Sequence, residues 1–378
     1  MRRLTAVEGN SLLAALPAAF DGAGPALLPL PSEPGVRGAI VDALRPDDVA
    51  APLERDDIAL VVATSGSSGA PKGVMLTAAA LLRSAHATHK RLGGAGQWLL
   101  ALPVDHIAGV QVLVRSLIAR TDPVVMPMTS GFSAAAFVAA TARLDADRRY
   151  TSLVPTQLAR LLDVAAIEAL RSYDAILLGG AAALPGVVER ARANGVNVVV
   201  TYGMTETCGG CVYDGVPLDD VTVDIASDGR IVIGGPTIFT GYRGRPDLTA
   251  AALLDGRLVT QDMGRIDARG RLEVVGRVDD IVVTGGENVS VLAVEATLSE
   301  QSGVVEASVI GVPDDEWGQR IVAFVVAQSV DSSMLQEAVR ARLGRAAVPR
   351  DVIILDSLPH TGLGKVDRRA LLSLIPQR

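Results

Sequence analysis

Residues 58–74 are IALVVATSGSSGAPKGV and carry the strongest structural signal in the sequence. Its first half is a short continuous apolar run, which is typical of a strand buried on both faces. The second half is a loop of small residues whose hydroxyls and backbone N–H groups would let a polyanion come close to the backbone. The stretch therefore predicts a buried strand followed by a phosphate-binding loop, with Lys72 as a mobile cation. The residues predicted to bind phosphate are Thr64, Ser65, Gly66, Ser67, Ser68, Gly69 and Lys72.

This loop does not follow the Walker A pattern of P-loop nucleotide-binding proteins. Pro71 precedes Lys72 and Gly73 follows it, so no hydroxyl stands where that motif binds magnesium. A flexible surface turn is the alternative interpretation, because Gly and Ser are common in loops. The buried strand in front of the loop favours phosphate binding.

The composition indicates a folded protein with a large core. The chain has 378 residues, of which 49% are hydrophobic and 20% charged, so a disordered chain is excluded and about two to three domains are expected. The formal net charge of -7 and the lack of a basic run argue against a nucleic-acid partner. Prolines interrupt the uncharged span 123–142, so no membrane insertion is expected. The first ten residues do not resemble a signal peptide, and a cytoplasmic location is predicted by default.

Beyond the loop, strands and helices alternate, which predicts parallel α/β layers. A strand at 175–178 opens into small residues, and another at 196–200 is followed by TYGMTET, where Tyr202 offers a ring for stacking. Glu206 offers a carboxylate for Mg²⁺ at the carboxyl end of a strand, where α/β sheets bind ligands. The candidate binding residues after these two strands are Gly180, Ala181, Tyr202, Gly203, Thr205 and Glu206.

The pattern changes after residue 220. Short strands and turns over 221–275 predict a small β-rich subdomain, and the last hundred residues predict a small α+β unit. A turn with consecutive carboxylates near Asp279 separates the two and is a candidate hinge. Residues 1–57 are predicted to be helix and loop.

The cysteines and histidines give only weak indications of a redox or metal site. Cys208 and Cys211 form a C-x-x-C, but without a second pair we expect pocket lining, not a redox or zinc site. His86 and His89 lie three apart on a predicted helix that begins after Thr77. No third ligand is near, so surface histidines are expected.

Several segments together resemble the motifs of the adenylate-forming enzymes, the superfamily of acyl-CoA synthetases, peptide-synthetase adenylation domains and luciferases. They occur in the order that the superfamily shows, over about residues 58–368. Two of the segments depart slightly from the superfamily's motifs. Asp105 stands where an aromatic residue often precedes the histidine, and Gln261 replaces the glycine of T-G-D. The matching segments are TSGSSGAPKG at 64–73, LPVDHIAG at 102–109, YGMTET at 202–207, TQD at 260–262, GRVDDI at 276–281, GGENV at 285–289 and PHTGLGKVDR at 359–368.

The resemblance implies an ATP-dependent acid–thiol ligase that uses Mg²⁺ and coenzyme A and forms an acyl-adenylate. It implies that Lys365 and Glu206 are catalytic, with Glu206 also binding magnesium, and that His106 borders the acyl pocket. It further implies nucleotide contacts at Asp262 and Arg277. The remaining roles that it implies are adenine packing at Gly180 and Ala181, a hinge at Asp279 and a coenzyme A tunnel at Gly285 and Gly286.

The implied architecture is α/β. A large N-terminal domain of α/β layers with a small β-rich subdomain spans 1–275, a hinge spans 276–280, and a small mobile α+β domain spans 281–378. Within the superfamily, the segment YGMTETCGGCVYDG and the short region before the phosphate loop resemble the o-succinylbenzoate–CoA ligases of menaquinone biosynthesis, in their short actinobacterial form. Because the region before the phosphate loop is short, it remains open whether the second subunit of a homodimer completes the wall of the acyl pocket.

Other interpretations remain at this point. Another acyl- or aryl-CoA synthetase would share all the motifs, and a silent nucleotide-binding scaffold would release no pyrophosphate. A P-loop kinase would form ADP instead of AMP. For a second carboxylate on the acid, His106, Arg115 and Gln157 are unranked candidate partners.

Overall fold

The structure is a computed structural model that describes residues 2–65, 71–128, 131–164, 166–181, 185–327, 330–359 and 366–375. For six of these residues only the backbone is described, namely Asn10, Ser65, Pro185, Asp279, Asn288 and Arg369. The chain divides into two compact units. Unit 1 comprises Met1–Ala226, Ile231–Thr260 and Ile266–Glu273, and unit 2 comprises Ser227–Arg230, Gln261–Arg265 and Val274–Arg378.

Strands and helices run through the whole described chain. The strands are β1 (Leu4–Glu8), β2 (Ala26–Leu30), β3 (Ile58–Ser65), β4 (Pro71–Thr77), β5 (Gln97–Leu100), β6 (Val124–Val125), β7 (Arg149–Leu153), β8 (Ala175–Leu178), β9 (Val198–Met204), β10 (Gly209–Tyr213), β11 (Val216–Pro217), β12 (Thr222–Ile225), β13 (Arg230–Gly234), β14 (Gly241–Tyr242), β15 (Leu253–Leu254), β16 (Arg257–Ile266), β17 (Leu272–Arg277), β18 (Ile281–Thr284), β19 (Glu287–Ser290), β20 (Val304–Asp314), β21 (Gly318–Ala327) and β22 (Asp351–Leu355). The α-helices are α1 (Gly9–Phe20), α2 (Pro34–Leu44), α3 (Ala78–Arg91), α4 (Ile107–Ala119), α5 (Ala134–Thr141), α6 (Pro155–Asp163), α7 (Ile167–Arg171), α8 (Pro185–Ala193), α9 (Pro246–Ala252), α10 (Val291–Ser299), α11 (Ser332–Leu343) and α12 (Arg368–Leu372). Short 3₁₀ helices span Thr205–Thr207 and Val278–Asp280.

The first sheet of unit 1 is built around β3. Its order is β1-β2-β3-β4-β14, parallel from β1 to β3 and antiparallel from β3 to β14. Residues 58–62 of β3 are at most 1% exposed, so the strand is buried on both faces as its apolar run predicts.

The second sheet of unit 1 has the order β11-β10-β9-β8-β7-β5-β6. Strands β6, β5, β7, β8 and β9 are parallel, whereas β10 and β11 are antiparallel additions at one edge. One hydrophobic core contains residues of β3 and β4, of α3 and α4, and of β5. The two helices therefore bury the facing sides of both sheets, which confirms the predicted α/β layers.

Local signals explain where α3 begins and ends. The Thr77 side chain accepts a hydrogen bond from Ala80 N at 3.1 Å, which satisfies a donor of the first helical turn. Gly93 follows the last turn with a φ of +89°, a conformation that glycine adopts without strain. The predicted helix start at Thr77 is confirmed.

The structure corrects the prediction for residues 1–57, which form β1 and β2 as well as helices. β2 lies between β1 and β3, and all five of its residues are buried. It contains Pro29, which has no N–H for the ladder and is usually confined to sheet edges. That proline made the segment resemble a loop.

Two site segments also differ from expectation. Lys72 was expected in a loop, but it lies in β4, which pairs antiparallel with β3. The strand expected at 196–200 begins at Val198 and continues to Met204, so Tyr202 and Gly203 lie in β9 and not after it. Gly203 obscured the end of the strand, because glycine is depleted in strands and common in loops.

The remaining strands form a third and a fourth sheet. The short strands predicted over 221–275 form the third sheet, which has the order β12-β13-β16-β15 with β17 paired to β16. The fourth sheet lies in unit 2 and has the order β19-β18-β21-β20, with β22 parallel to β21. Helices α10 and α11 contribute to the core on one face of this sheet. Within the described ranges, no helix combines the length and the apolar character that crossing a bilayer requires.

Candidate active site

The base of the predicted phosphate loop is the β3–β4 hairpin of unit 1. Thr64 lies opposite Lys72 and Ser65 opposite Pro71, and the Thr64 hydroxyl donates to Lys72 O at 3.5 Å. Gly66, Ser67, Ser68 and Gly69 lie outside the described residues, and of Ser65 only the backbone is described. The hairpin thus brings Thr64 and Lys72 side by side at the point where the loop begins and ends.

The side chain of Lys72 lies over an aromatic ring. Its Nζ is 4.6 Å from the centroid of Tyr242, within the range of a cation–π interaction. Tyr242 belongs to β14 and pairs with Val74, two residues along β4 from Lys72. Among the described residues, Lys72 forms no ion pair, so its charge is available to a ligand.

Glu206 contacts the same tyrosine from the 3₁₀ turn after β9. Tyr242 Oη donates to Glu206 Oε1 at 2.8 Å, and Phe239 N donates to the Glu206 carbonyl at 2.8 Å. Burial raises the pKa of Tyr242 well above its usual value, and the neighbouring Glu206 carboxylate adds to the shift. The phenol therefore stays protonated and remains a donor at neutral pH.

The half-buried Glu206 carboxylate suits a magnesium ion. One oxygen is held by Tyr242, and the other makes no hydrogen bond to a described residue. Mg²⁺ is usually bound by one or two carboxylates together with substrate phosphates. Glu206 and the neighbouring hydroxyl of Thr205 would hold the ion, which would neutralise charge on the phosphates.

Glycines allow the backbone of β9 to lie unusually close to its neighbours. A Cβ on Gly203 would lie 2.1 Å from Gly209 O, and one on Gly179 would lie 2.4 Å from Thr201 Oγ1. Beyond β8, Gly180 has a φ of +82° and is exposed together with Ala181. A flat group could therefore lie against the backbone here, as the resemblance to the adenylate-forming enzymes implies for adenine.

His106 is the N-cap of α4. Its Nε2 is 3.6 Å from Asp105 Oδ2 and has no hydrogen-bond partner in the described part of the chain. One turn further, the fully buried Gln111 donates from Nε2 to Cys208 O at 2.9 Å, while its Oε1 has no partner there. The start of α4 thus presents unsatisfied polar atoms next to the segment that follows Glu206.

Arg115 lies deeper on α4 and is 3% exposed. Its guanidinium carbon is 4.9 Å from the centroid of Trp98, and its Nε has no hydrogen-bond partner among the described residues. Burial lowers the pKa of the guanidinium, although arginine remains charged under ordinary conditions. No carboxylate of the described chain pairs with it.

The predicted surface position of His89 was wrong, because the residue is only 6% exposed. Its Nε2 accepts a hydrogen bond from Trp98 Nε1 at 3.2 Å. Burial lowers the pKa of His89 to about 4, and the charge of Arg115 adds to the effect. The histidine is therefore a neutral core residue, whereas His86 is exposed as predicted.

Gln157, another candidate partner for a second carboxylate, has both polar atoms occupied. Its Oε1 accepts from Val154 N at 3.0 Å and its Nε2 donates to Ala101 O at 3.1 Å. The side chain thus caps α6 and ties it to the end of β5. Of the three candidates, Arg115 is the only one with a permanent charge.

The two cysteines are free and buried. Burial raises the pKa of Cys208 strongly and that of Cys211 to about 12, so neither is a thiolate at neutral pH. The described residues contain no cluster of three His, Cys, Asp or Glu side chains that could hold a metal.

Unit 2 carries the remaining candidate residues. Arg277 donates to Asp262 Oδ1 at 2.8 Å, and the carboxyl side chain of Asp262 is 11% exposed. Gly285 and Gly286 form the two-residue turn between β18 and β19, with φ values of +58° and +81°. Asp279 lies in the second 3₁₀ turn, and of it only the backbone is described.

Lys365 lies outside the described residues, but the residues that flank its segment are described. Asp367 N donates to Pro359 O at 2.8 Å, which closes the base of the segment. Arg368 forms ion pairs with the buried Asp280 and with Glu295. The residue three positions after Lys365 is therefore tied to the predicted hinge.

Tyr242 and Phe239 were not predicted as site residues. Both lie in FTGYRG, a short segment of aromatic, glycine and polar residues without a clear apolar pattern, and their rings meet edge to face at 4.9 Å between centroids. Their importance emerges only from the long-range pairing of β14 with β4.

Comparison with known proteins identifies the class. Residues 17–243 match the AMP-binding enzyme family, and residues 293–365 match the AMP-binding enzyme C-terminal domain. The chain belongs to the AMP-binding enzyme family, as its resemblance to adenylate-forming enzymes predicted.

Individual relatives are more specific. The chain is 45% identical to the Mycobacterium tuberculosis protein named "Probable 2-succinylbenzoate--CoA ligase", over 98% of each chain. It is 33% identical to the sulfoacetate–CoA ligase of Cupriavidus necator, over 98% of this chain and 72% of that one. It also resembles the o-succinylbenzoate CoA synthetase of Bacillus subtilis solved with its acyl-adenylate intermediate, with a TM-score of 0.81, 28% identity, and coverage of 98% and 88%. The same Bacillus enzyme has been solved with ATP and a magnesium ion, and that structure matches with a TM-score of 0.79 at 28% identity, over 98% of this chain and 89% of that one.

Proposed function

We propose that the protein joins 2-succinylbenzoate to coenzyme A, with ATP converted to AMP and diphosphate through an acyl-adenylate. The reaction would serve menaquinone biosynthesis. The full-length similarity to a protein named for this activity supports the proposal. So does the fold shared with an enzyme solved with its acyl-adenylate.

In the first step, a carboxylate oxygen attacks the α-phosphorus of ATP, the α–β bridging bond breaks, and diphosphate leaves. Every reactant is anionic, so catalysis depends on positioning and on cations. We assign the β- and γ-phosphates to Lys72 and the loop that it follows. Magnesium is assigned to Glu206, and Lys365 is assigned to the reacting carboxylate and the α-phosphate.

In the second step, the thiol of coenzyme A attacks the acyl carbonyl and AMP leaves. We assign the ribose to Asp262 and its partner Arg277, the hinge to Asp279, and the path of the thiol to the turn at Gly285 and Gly286. The ion pair between Asp262 and Arg277 supports this assignment, because it fixes the orientation of both side chains.

The observation that carries the substrate assignment is Arg115. 2-Succinylbenzoate has two carboxylates, of which only one is activated, so the other needs a cationic partner inside the protein. A buried guanidinium without a carboxylate is costly unless a ligand supplies the anion. Arg115 is buried, stacks on Trp98 and pairs with no acid of the described chain.

A matched pair of acids tests Arg115. 4-Oxo-4-phenylbutanoate is 2-succinylbenzoate without the ring carboxylate, so it lacks only the group assigned to Arg115. We expect Arg115→Met to lower kcat/KM for 2-succinylbenzoate by about 10- to 100-fold, because a hydrogen bond between charged groups is lost. The kcat/KM for 4-oxo-4-phenylbutanoate should change by about threefold or less, and Arg115→Lys should have an intermediate effect on 2-succinylbenzoate. An equal loss on both acids would show that Arg115 only supports the core.

Product analysis tests the reaction itself. The protein would be incubated with ATP, magnesium and coenzyme A, and with 2-succinylbenzoate, sulfoacetate or a panel of fatty and aryl acids. AMP and 2-succinylbenzoyl-CoA, identified by mass spectrometry, are the expected products. AMP formed with sulfoacetate alone would favour a second candidate function, that of a sulfoacetate–CoA ligase, the activity for which the Cupriavidus relative is named. ADP, or no turnover with any acid, would contradict the proposal.

We further propose that the enzyme works in the cytoplasm, where ATP and coenzyme A are both supplied, and that it forms a homodimer. Light scattering at the concentration used for assays gives the mass directly. A mass near 39 kDa would refute the dimer, since that is the mass of one chain.

A further inference from the structure

Tyr242 contacts two of the charged residues assigned to the nucleotide. Lys72 Nζ lies 4.6 Å from the centroid of its ring, and its hydroxyl donates to Glu206 Oε1 at 2.8 Å. The cation and the carboxylate therefore meet different parts of one side chain. They form no ion pair with each other.

The tyrosine is itself rigidly held. It is 7% exposed, and its ring packs edge to face against Phe239. Its backbone pairs with Val74 of β4, and its N–H donates to Thr249 Oγ1 at 2.9 Å. A side chain fixed on this many sides can determine where flexible neighbours lie.

Both contacts also reinforce each other. A phenol that donates to a carboxylate gains electron density in its ring, which strengthens the attraction between the ring face and a cation. A direct pair between Lys72 and Glu206 would neutralise both charges before a ligand arrived. With the ring as their common partner, both charges remain available.

We propose that Tyr242 is a positioning residue that keeps the Lys72 ammonium and the Glu206 carboxylate apart and oriented for the triphosphate and its magnesium. The inference rests on the proposed function insofar as Lys72 and Glu206 bind these groups. It does not depend on which acid is the substrate.

Nucleotide binding measured by calorimetry tests this role. AMP lacks the β- and γ-phosphates, so it reports on the rest of the nucleotide site. We expect Tyr242→Phe, which keeps the ring and removes the hydroxyl, to weaken Mg·ATP about tenfold, as one hydrogen bond to a charged group is lost. Tyr242→Leu, which also removes the ring, should weaken Mg·ATP about 100-fold. Neither variant should change the Kd for AMP by more than about threefold.

Tyr173→Phe is the matched control. Tyr173 is also a buried tyrosine of unit 1, and its hydroxyl is 2.7 Å from Thr141 Oγ1; it belongs to a different hydrophobic core cluster from Tyr242. This variant should leave the Kd values for both nucleotides unchanged.

The outcomes separate this inference from the proposed function. Equal weakening of AMP and Mg·ATP by Tyr242→Phe, or no weakening of either, would overturn the positioning role. Wild-type protein that binds neither nucleotide would overturn the nucleotide assignment and this inference together. Wild-type protein that binds Mg·ATP but does not activate 2-succinylbenzoate would refute only the proposed substrate.

Discussion

At the scale of single residues, His89 makes the stability of the protein depend on pH. Its pKa of about 4 lies below the ordinary value of 6.5, so between these values the unfolded chain binds a proton that the folded chain does not. The contribution of the neutral side chain is fully present above pH 6.5 and is lost as the pH falls towards 4. Since one pKa unit corresponds to about 1.4 kcal/mol, the loss is about 3 kcal/mol.

Substitution of His89 tests this dependence. Gln can accept the Trp98 N–H but cannot titrate, so His89→Gln should remove about 3 kcal/mol of the difference in unfolding free energy between pH 7 and pH 4. His86→Gln is the control, because His86 is exposed on the same helix. Urea unfolding of the three proteins at both pH values provides the measurement. Parallel pH profiles for wild type and His89→Gln would contradict the prediction.

Individual residues could be selected as site candidates where their chemistry is local. Glu206, Asp262 and Lys72 stand in segments whose residue types already indicate charge and close approach. The burial of His89 was not predictable, because it depends on Trp98 and Arg115, which lie on other elements. Tyr242 was missed for the same reason: the residues that it joins lie 170 and 36 positions away, since 242 − 72 = 170 and 242 − 206 = 36.

At the scale of elements, the β9–β10 pair depends on Gly203. A Cβ there would lie 2.1 Å from Gly209 O, which is backbone and cannot turn aside. We expect Gly203→Ala to lower the free energy of unfolding by about 3 kcal/mol, as strong overpacking does. It should also weaken Mg·ATP binding, because Glu206 follows the same strand.

A glycine-to-alanine substitution at another position provides the comparison for Gly203→Ala. Gly38 lies in the middle of α2, where an added Cβ would meet nothing within 4 Å. Gly38→Ala should therefore raise the unfolding free energy by about 0.5 to 1 kcal/mol. Chemical denaturation measures both variants. If Gly203→Ala unfolded like wild type, the close approach of β9 and β10 would be refuted.

Elements were predictable where pattern and length agree. Strand β8 lies at the residues predicted for it, and helix α3 begins after Thr77 as predicted. β2 was missed because it contains Pro29, although it lies inside the sheet; Pro29 is paired with Val7 of β1, whereas the pairing of β2 with β3 lies at Leu27 and Leu60. β4 was missed because its partner β3 lies across the loop, and pairing across a loop leaves no periodic signal.

At the scale of the whole molecule, the proposed reaction requires two half-reactions from one chain. We expect Lys365→Ala to lower the rate of adenylation by about 100- to 1000-fold, since one preorganised electrostatic contact contributes about 3 to 4 kcal/mol at the barrier. Transfer of the acyl group from preformed adenylate to coenzyme A should change by about threefold or less. Pyrophosphate exchange and thioester formation measure the two steps separately.

Substitution of a different lysine tests whether the effect of Lys365→Ala is specific or follows from the loss of any positive charge. Lys90 is exposed and pairs with Asp219 on the surface, so Lys90→Ala should leave both half-reactions unchanged. Equal losses in both steps for Lys365→Ala would contradict a division of labour between them.

The pairing of β14 with β4 has a consequence for the protein while it is being made. Thr240 donates to Met75 O across a separation of 165 residues, so β4 acquires this neighbour only late in translation. At about 5 to 20 residues per second, the ribosome needs about 8 to 33 s to synthesise the intervening chain. During that interval the apolar edge of β4 lacks its partner strand and is open to wrong pairing. Nascent chains of this protein should therefore depend on chaperones more before residue 243 has emerged than after it.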